Sequence, residues 1–574
     1  MPYPRVLLAA LLALALVGCS STSPTTTSSP TATDTTATTD TTTTTAERSD
    51  GDGTATPDTT TEASPLPATA PQDWFHRDRD SGRIPGLATR TAYETMLGGR
   101  SPQDTVTVAI IDSGIDIGHE DLTATTWTNA DEVPGNNEDD DGNGYVDDVH
   151  GWNFIGGPDG KNVKADTYEL TRIYVRLKNR FADVDSAAVA PSDRDAYQRY
   201  QTIRATFKRK RKKAQKELNN VQQARDAVRF AEKVLTKHLG TDSLSRAAVD
   251  TISTDDSQIR RARDILQYFY RQELSPSNIY EYYDHLKNKV EHNYNPEFDP
   301  RSIVGDDYSD KTERNYGNNG VEGPDADHGT HVGGIIAAAR NNGVGIDGVA
   351  SGVRIMPVRT VPNGDERDKD VANAIRYAAD NGADVINMSF GKGYSPYKEV
   401  VDRAVQYADS LGVLMVHAAG NDGENVDTTA NYPTRQYKNG GRAQHWIEVG
   451  ASSWNADDEL VAPFSNYSEE TVDVFAPGGA IYSTIPNNKY ERNDGTSMAA
   501  PMVSGVAALI MAYYPTLSTA EVRDAILRTA TSYADTMVTR PGGSEQIPFG
   551  QLSRTGGIVN AHAALQRAAK LSSE

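Results

Sequence analysis

A nearly unbroken apolar run, Val106 to Ile111, stops abruptly at Asp112. A strand wetted on one side alternates apolar and polar residues. One without that alternation is covered on both faces, as in a parallel sheet between layers of helices. Val413 to Val416 reads the same way, and VINMSFG, ending at Gly391, reads as a strand entering a turn. The fold class expected is therefore α/β, a mainly parallel sheet flanked by helices, with functional groups at the carboxyl ends of the strands. Asp112 stands at such an end.

Two further segments carry chemistry. HGTHVGGIIAA begins at His328, and NDGTSMAAPMVSG surrounds Ser497. Each reads as the opening of a Gly/Ala-rich apolar helix, with Pro501 placed near the start of the second, where a missing N–H is tolerated. Serine is a poor nucleophile alone. It needs an imidazole to take its proton and a carboxylate to hold that imidazole in the right tautomer. Aspartate, histidine and serine in these contexts, in the order Asp112, His328, Ser497, point to acyl transfer.

At these residues the chain resembles the subtilase family of serine proteases, over roughly 72–162 and 294–574. DSG, HGTHV and GTSMAAP together carry the resemblance. It implies a subtilisin-like fold and a serine endopeptidase acting on polypeptides: Asp112 orients, His328 is general base and then acid, and Ser497 is the nucleophile. It implies that Asn421, in HAAGND, and the Ser497 N–H hold the oxyanion; on residue type alone Asn421 is also a turn residue before Gly423. It further implies that Ser389-Phe390-Gly391 and Ala418-Ala419-Gly420 form the two walls of the S1 pocket, the first pairing with substrate backbone as an added strand. Their small size predicts a slot for a sizeable side chain. Asp422, Glu424 and Asp427 point to an acidic rim and basic P1 residues, although carboxylates are common in a chain of net charge −22. The rival from another class is a non-catalytic, membrane-tethered scaffold that binds through the helical insertion described below; the intact catalytic set argues against it.

The N-terminus predicts export. Arg5 precedes an apolar run from Val6 to Val17, too short to span a membrane, and LVGC ending at Cys19 resembles the bacterial lipoprotein box. Cys19 is the one cysteine of 574 residues, which excludes an internal disulfide. The expectation is a signal peptide over 1–18, a lipid on Cys19 and a place on a bacterial envelope membrane, outer membrane or cell surface before inner. An ordinary cleaved signal that contains a cysteine is the alternative. Residues 19–71, rich in Thr, Ser and Pro, cannot bury a core and read as a disordered tether. No segment here reads as the folded propeptide common in secreted subtilases, and no module is expected beyond the Ala-rich C-terminal helix.

Calcium is the expected cofactor. Asp139, Asp141, Asn143, Tyr145 and Asp147 fall at positions one, three, five, seven and nine of an Asp-rich loop, with Gly144 at six. Position twelve is His150 rather than glutamate, so the loop is not an EF-hand; a solvated acidic loop is the other reading. From the resemblance alone, Asp121 and Asn342, with the carbonyls of Arg340, Val344 and Ile346, form a second calcium site.

Asp112 and His328 stand 216 residues apart (328 − 112). Most of that distance has helical periodicity. Phe207, Ala214, Val221, Val228 and Leu235 recur every seven residues, and shorter stripes surround Ile173, Leu266 and Leu286. Residues 163–293 therefore read as a helical hairpin or bundle inserted into a surface loop, away from the catalytic groups, between catalytic parts 72–162 and 294–574. Within it, KRKRKK at 208–213 reads as a solvated helix face, or as a contact for an anionic lipid surface or acidic partner. Nucleic acid is a poor reading for an exported chain of pI near 5.0. A monomer is expected.

Overall fold

The computed structural model describes residues 69–79, 84–457 and 459–574. The signal, Cys19 and most of the tether lie outside the described residues. A nine-stranded sheet forms the centre. Seven strands carry the argument: β1 (Val106–Asp112), β2 (Trp152–Asn153), β3 (Val353–Arg359), β4 (Val385–Met388), β5 (Leu414–Ala418), β6 (Trp446–Ser452) and β7 (Val474–Pro477). They lie side by side in the order β7, β6, β5, β4, β1, β3, β2, all parallel. Gly557–Ile558 joins β7 in parallel, and Thr531–Ser532 closes the edge antiparallel. The fold is subtilisin-like α/β.

Side chains on successive strand positions point to opposite faces. Val106, Val108 and Ile110 of β1 enter one core cluster, and Ala109 and Ile111 enter the other. This explains the missing alternation, since both faces are dry. On the first face lie α5 (Asp327–Ala337) and α8 (Thr496–Tyr513), the helices that carry His328 and Ser497. On the second lie α6 (Asp368–Asp380) and α7 (Lys398–Ser410). Among the described residues α8 is the one helix long and apolar enough to cross a membrane, but it is buried in this core.

The insertion is helical. It comprises α1 (Glu169–Phe181), α2 (Arg194–Leu239), α3 (Ser257–Arg271) and α4 (Pro276–Asn288), with a short helix at Arg246–Asp250. The seven-residue stripe from Phe207 to Leu235 is buried along α2, a single helix of 46 residues. Gly240 ends it in the left-handed conformation, and Ser275 caps α4 with Pro276 at its first position. Two cores result. The far half of α2 packs with α3 and α4, while Phe207, Tyr200 and Ile203 pack with Leu170, Ile173 and Phe181 of α1.

The base of the insertion packs on the segment that follows Gly391. Tyr394, three residues beyond Gly391, packs on the inner of these two cores. Asn293 donates to the carbonyls of Asp166 (2.8 Å) and Asn363 (2.9 Å). Arg367 pairs with Asp166 at 2.7 Å, both buried. Val163 belongs to the sheet's own core, so the helices begin several residues after it.

Candidate active site

Asp112 ends β1 at 1% exposure, and His328 is the second residue of α5. His328 Nδ1 lies 2.7 Å from Asp112 Oδ1, which also accepts the Ser113 N–H at 2.7 Å. The two elements approach this closely because residue 329 is glycine: a Cβ there would lie 2.1 Å from the Gly114 carbonyl oxygen. The imidazole is 41% exposed. Desolvation pulls its pKa down, but the Asp112 charge and hydrogen bond outweigh that, so it lies above the ordinary histidine value. His331, one turn on, is fully buried and held down to about 3 by desolvation; its Nε2 meets the carbonyls of Ile481 and Glu491. The second histidine of HGTHV is thus a structural brace.

Ser497 is the second residue of α8. Its Oγ donates to the Ser389 carbonyl at 3.0 Å, while Ser389 Oγ donates to the Ser497 carbonyl at 2.8 Å. Pro501 is near the start of α8, as expected, but past the first turn where a missing N–H is tolerated and so inside the helix. Its missing N–H deprives the carbonyl four residues back, that of Ser497, of a partner, and Ser389 fills the gap. Asn387 supports the arrangement, donating to Ser389 Oγ at 2.9 Å and accepting from Ser504 Oγ at 2.8 Å. None of these supporting roles was legible from residue type.

Asn421 follows β5. Its Oδ1 accepts both the N–H and Oγ–H of Thr496, each at 2.9 Å. This fixes the amide orientation, because a backbone N–H requires the oxygen toward it; the NH₂ lies beside Gly495, 3.5 Å from where a Cβ there would stand. Thr496 is therefore a positioning residue that sequence reasoning missed; its place directly before Ser497 was the available signal.

The two proposed walls leave β4 and β5. Phe390 offers its carbonyl to His417 Nε2 at 2.9 Å, and His417 Nδ1 meets Glu448 at 2.8 Å, a buried brace below the wall. Gly420, at φ +102°, turns the chain away from Ala418 and Ala419. One side chain reaches into the gap between the walls. Asn431 donates to the Ala418 carbonyl at 3.0 Å, and a Cβ at Gly391 would lie 2.1 Å from Asn431 Oδ1, so this side chain spans both walls. Of the acidic rim, Asp427 is engaged by Ser468 and Thr471, each at 2.6 Å. Asp422 is raised by desolvation and by Glu424, against the opposing charges of Lys210 and Lys289 from the insertion.

The acidic loop rearranges the expected ligand set. Carboxylate oxygens of Glu132, Asp139 and Asp141 lie within 4.8 Å of one another. Glu132 was not foreseen; it is 6% exposed, and its Oε2 is buried without a partner. Asp147 turns elsewhere and accepts the N–H groups of Gly135, Asn136 and Asn137. Asn143 presents its amide NH₂ to Asp141 and Asp148, and the Tyr145 ring packs on Trp152 and Tyr377. At the second expected site Asp121 and Asn342 do meet, at 2.6 Å. There, however, the carboxylate is already satisfied by Asn342 Nδ2, the Ile346 N–H and the Tyr490 hydroxyl.

The subtilase family profile matches residues 103–544. Subtilisin DY of Bacillus licheniformis is 40% identical over 212 residues, 36% of this chain and 72% of that protein. The thermophilic serine proteinase of Bacillus sp. (strain AK1) is 40% identical over 243 residues, 42% of this chain and 54% of that protein. A solved structure described as proteases from Pseudoalteromonas arctica PAMC 21717 aligns over 87% of this chain and all of that one, at 22% identity and a TM-score of 0.42. With its parallel sheet and the match across most of its length, the chain belongs to the subtilase family and is a subtilisin-like serine endopeptidase.

Proposed function

We propose that this chain cleaves polypeptides outside the cytoplasm with Ser497 as nucleophile. The observation that carries the assignment is the 2.7 Å contact between His328 Nδ1 and Asp112, at the mouth of the cleft that Ser497 enters from α8. Asp112 fixes the tautomer, leaving His328 Nε2 to receive the serine proton and later return it to the leaving amine. For attack the Ser497 hydroxyl leaves the Ser389 carbonyl and turns to His328; catalytic hydrogen bonds commonly close only once substrate is bound. The tetrahedral oxyanion is held by the Asn421 amide and the Ser497 N–H, assisted by the positive end of α8. Extended substrate backbone lies along Ser389-Phe390-Gly391, and Asn431 shortens the pocket for the side chain next to the cleaved bond.

Calcium is proposed at Glu132, Asp139 and Asp141, where three hard oxygen donors converge and one buried oxygen lacks a partner. A structural ion there would tie the loop to the sheet edge at Trp152. Anchoring by lipid on Cys19 rests on the sequence, and two acyl chains or more would be needed to hold the protein stably. The test of function is digestion of a peptide library by the purified protein, with cleavage sites read by mass spectrometry. Internal cleavage that disappears in Ser497→Ala supports the reading, and a library left intact by the wild type contradicts it.

A further inference from the structure

The basic run of the insertion is almost free of partners. Among the described residues 208–213, only Lys213 meets a carboxylate, Glu217 at 3.8 Å. In a chain of net charge −22 such a cluster is not a consequence of composition. Lys178, Lys208, Arg211, Lys212 and Lys216, against a single carboxylate, Glu297, line a groove of about 660 Å³ between α1 and α2. Near its floor Tyr174 and Phe207 stack with ring centroids 4.2 Å apart and planes 13° from parallel. Lys208, Arg211 and Lys212 follow helical spacing, so α2 presents them together on one side. Lys210 and Lys289, also from the insertion, oppose the upward shift of Asp422, the residue after Asn421.

We propose that this groove is an exosite for an acidic stretch of the polypeptide being cleaved, so that the insertion selects substrates by charge at a distance from the cleaved bond. The inference rests on the proteolytic reading above and adds a substrate class to it. A concave site with an aromatic floor and a cationic rim suits an extended acidic chain. A flat anionic bilayer would meet the rim and leave the floor uncovered. Complementary charge of this kind raises encounter rate and selectivity more than it raises the chemical step. The effect therefore belongs in KM rather than kcat.

The test uses the full chain and a quadruple variant, Lys208→Gln, Arg211→Gln, Lys212→Gln and Lys216→Gln. Two peptides share one cleaved core; one carries an extension of alternating Glu and Gly, the other of alternating Gln and Gly. Binding is measured by fluorescence anisotropy on Ser497→Ala protein, and hydrolysis on active protein. At low salt the acidic peptide should bind and show a KM about five- to tenfold below its neutral twin. The difference should vanish in the quadruple variant and at about 0.5 M salt, where charges are screened within a few ångströms. The bare core peptide should be cleaved equally by both proteins. Equal binding of the two peptides at low salt would overturn the proposal, as would a preference that survives in the quadruple variant. Binding to phosphatidylglycerol vesicles that depends on these cations, without discrimination between the peptides, would reassign the groove to lipid. If the core peptide is not cleaved at all, the proteolytic reading fails, while the anisotropy arm still decides the exosite.

Discussion

Ser389 and Ser497 are joined twice, each hydroxyl donating to the other's main-chain carbonyl, at 2.8 and 3.0 Å. One of these bonds repairs the break that Pro501 makes in α8, and the other parks the nucleophile. Ser389→Ala removes the repair and leaves the Ser497 carbonyl without its protein partner beside a strand that is otherwise dry. Leaving such a group unsatisfied costs about 1–3 kcal/mol. Thermal unfolding should show a loss in that range, with kcat reduced because the first turn of α8 is no longer pinned to β4. Unchanged stability would mean that the contact contributes nothing to the fold.

Asn421 and Thr496 should separate into a donor and its support. Asn421→Ala should lower kcat by about a hundred- to a thousandfold, the loss known for removing this donor from subtilisin itself, with KM little changed. Thr496→Val keeps the N–H bond to Asn421 Oδ1 but removes the hydroxyl that also accepts from the Gly420 N–H at 3.1 Å. Its loss in kcat should be smaller. Steady-state kinetics on both variants checks the order, and a larger loss in Thr496→Val would reverse the assigned roles.

The pH profile follows from His328. Its folded pKa is above the ordinary value of 6.5 because Asp112 outweighs desolvation. General-base catalysis needs the neutral ring, so kcat/KM should rise with pH through a midpoint above 6.5. Asp112→Asn removes the charge that raises it. The midpoint should then fall, and kcat should drop by about ten-thousandfold, the scale known when a triad aspartate is replaced by asparagine. An acid limb centred below 6.5 in the wild type would contradict this electrostatic account.

Removal of calcium should destabilise the Asp-rich loop. Ions that bind the folded chain and not the unfolded one stabilise by mass action. Chelator should lower the melting temperature, and millimolar calcium should restore it. Glu132→Gln should weaken the ion enough to reduce that difference, because Glu132 supplies the buried, otherwise unpartnered oxygen. Identical melting curves with chelator and with calcium would remove the ion from this site.

What the sequence revealed depended on where the physics is local. Covered strands such as β1 show as unbroken apolar runs, and the stripe from Phe207 to Leu235 shows as a period, so sheet and insertion were both legible. The three motif residues stand out because their contexts are short and specific, and the fold brings two of them, Asp112 and His328, to 2.7 Å. Glu132 was not legible: it lies outside the Asp139–Asp147 pattern and reaches it only through the fold. Asp147 matched the pattern but instead satisfies three N–H groups of the preceding turn, those of Gly135, Asn136 and Asn137. Asn431 and Ser389 act through contacts with segments 13 and 108 residues away, which no spacing rule encodes. The way the insertion is rooted, where Asp166, Arg367 and Asn293 meet, is likewise a property of the fold.

The central claim is that Ser497, activated through His328, performs the chemistry. Labelling with a fluorophosphonate probe followed by peptide mapping tests it most directly. The adduct should fall on Ser497 alone, should be lost in Ser497→Ala and should be strongly slowed in His328→Ala, with hydrolysis abolished in step. An adduct on another serine, or peptide cleavage undiminished in Ser497→Ala, would contradict the account.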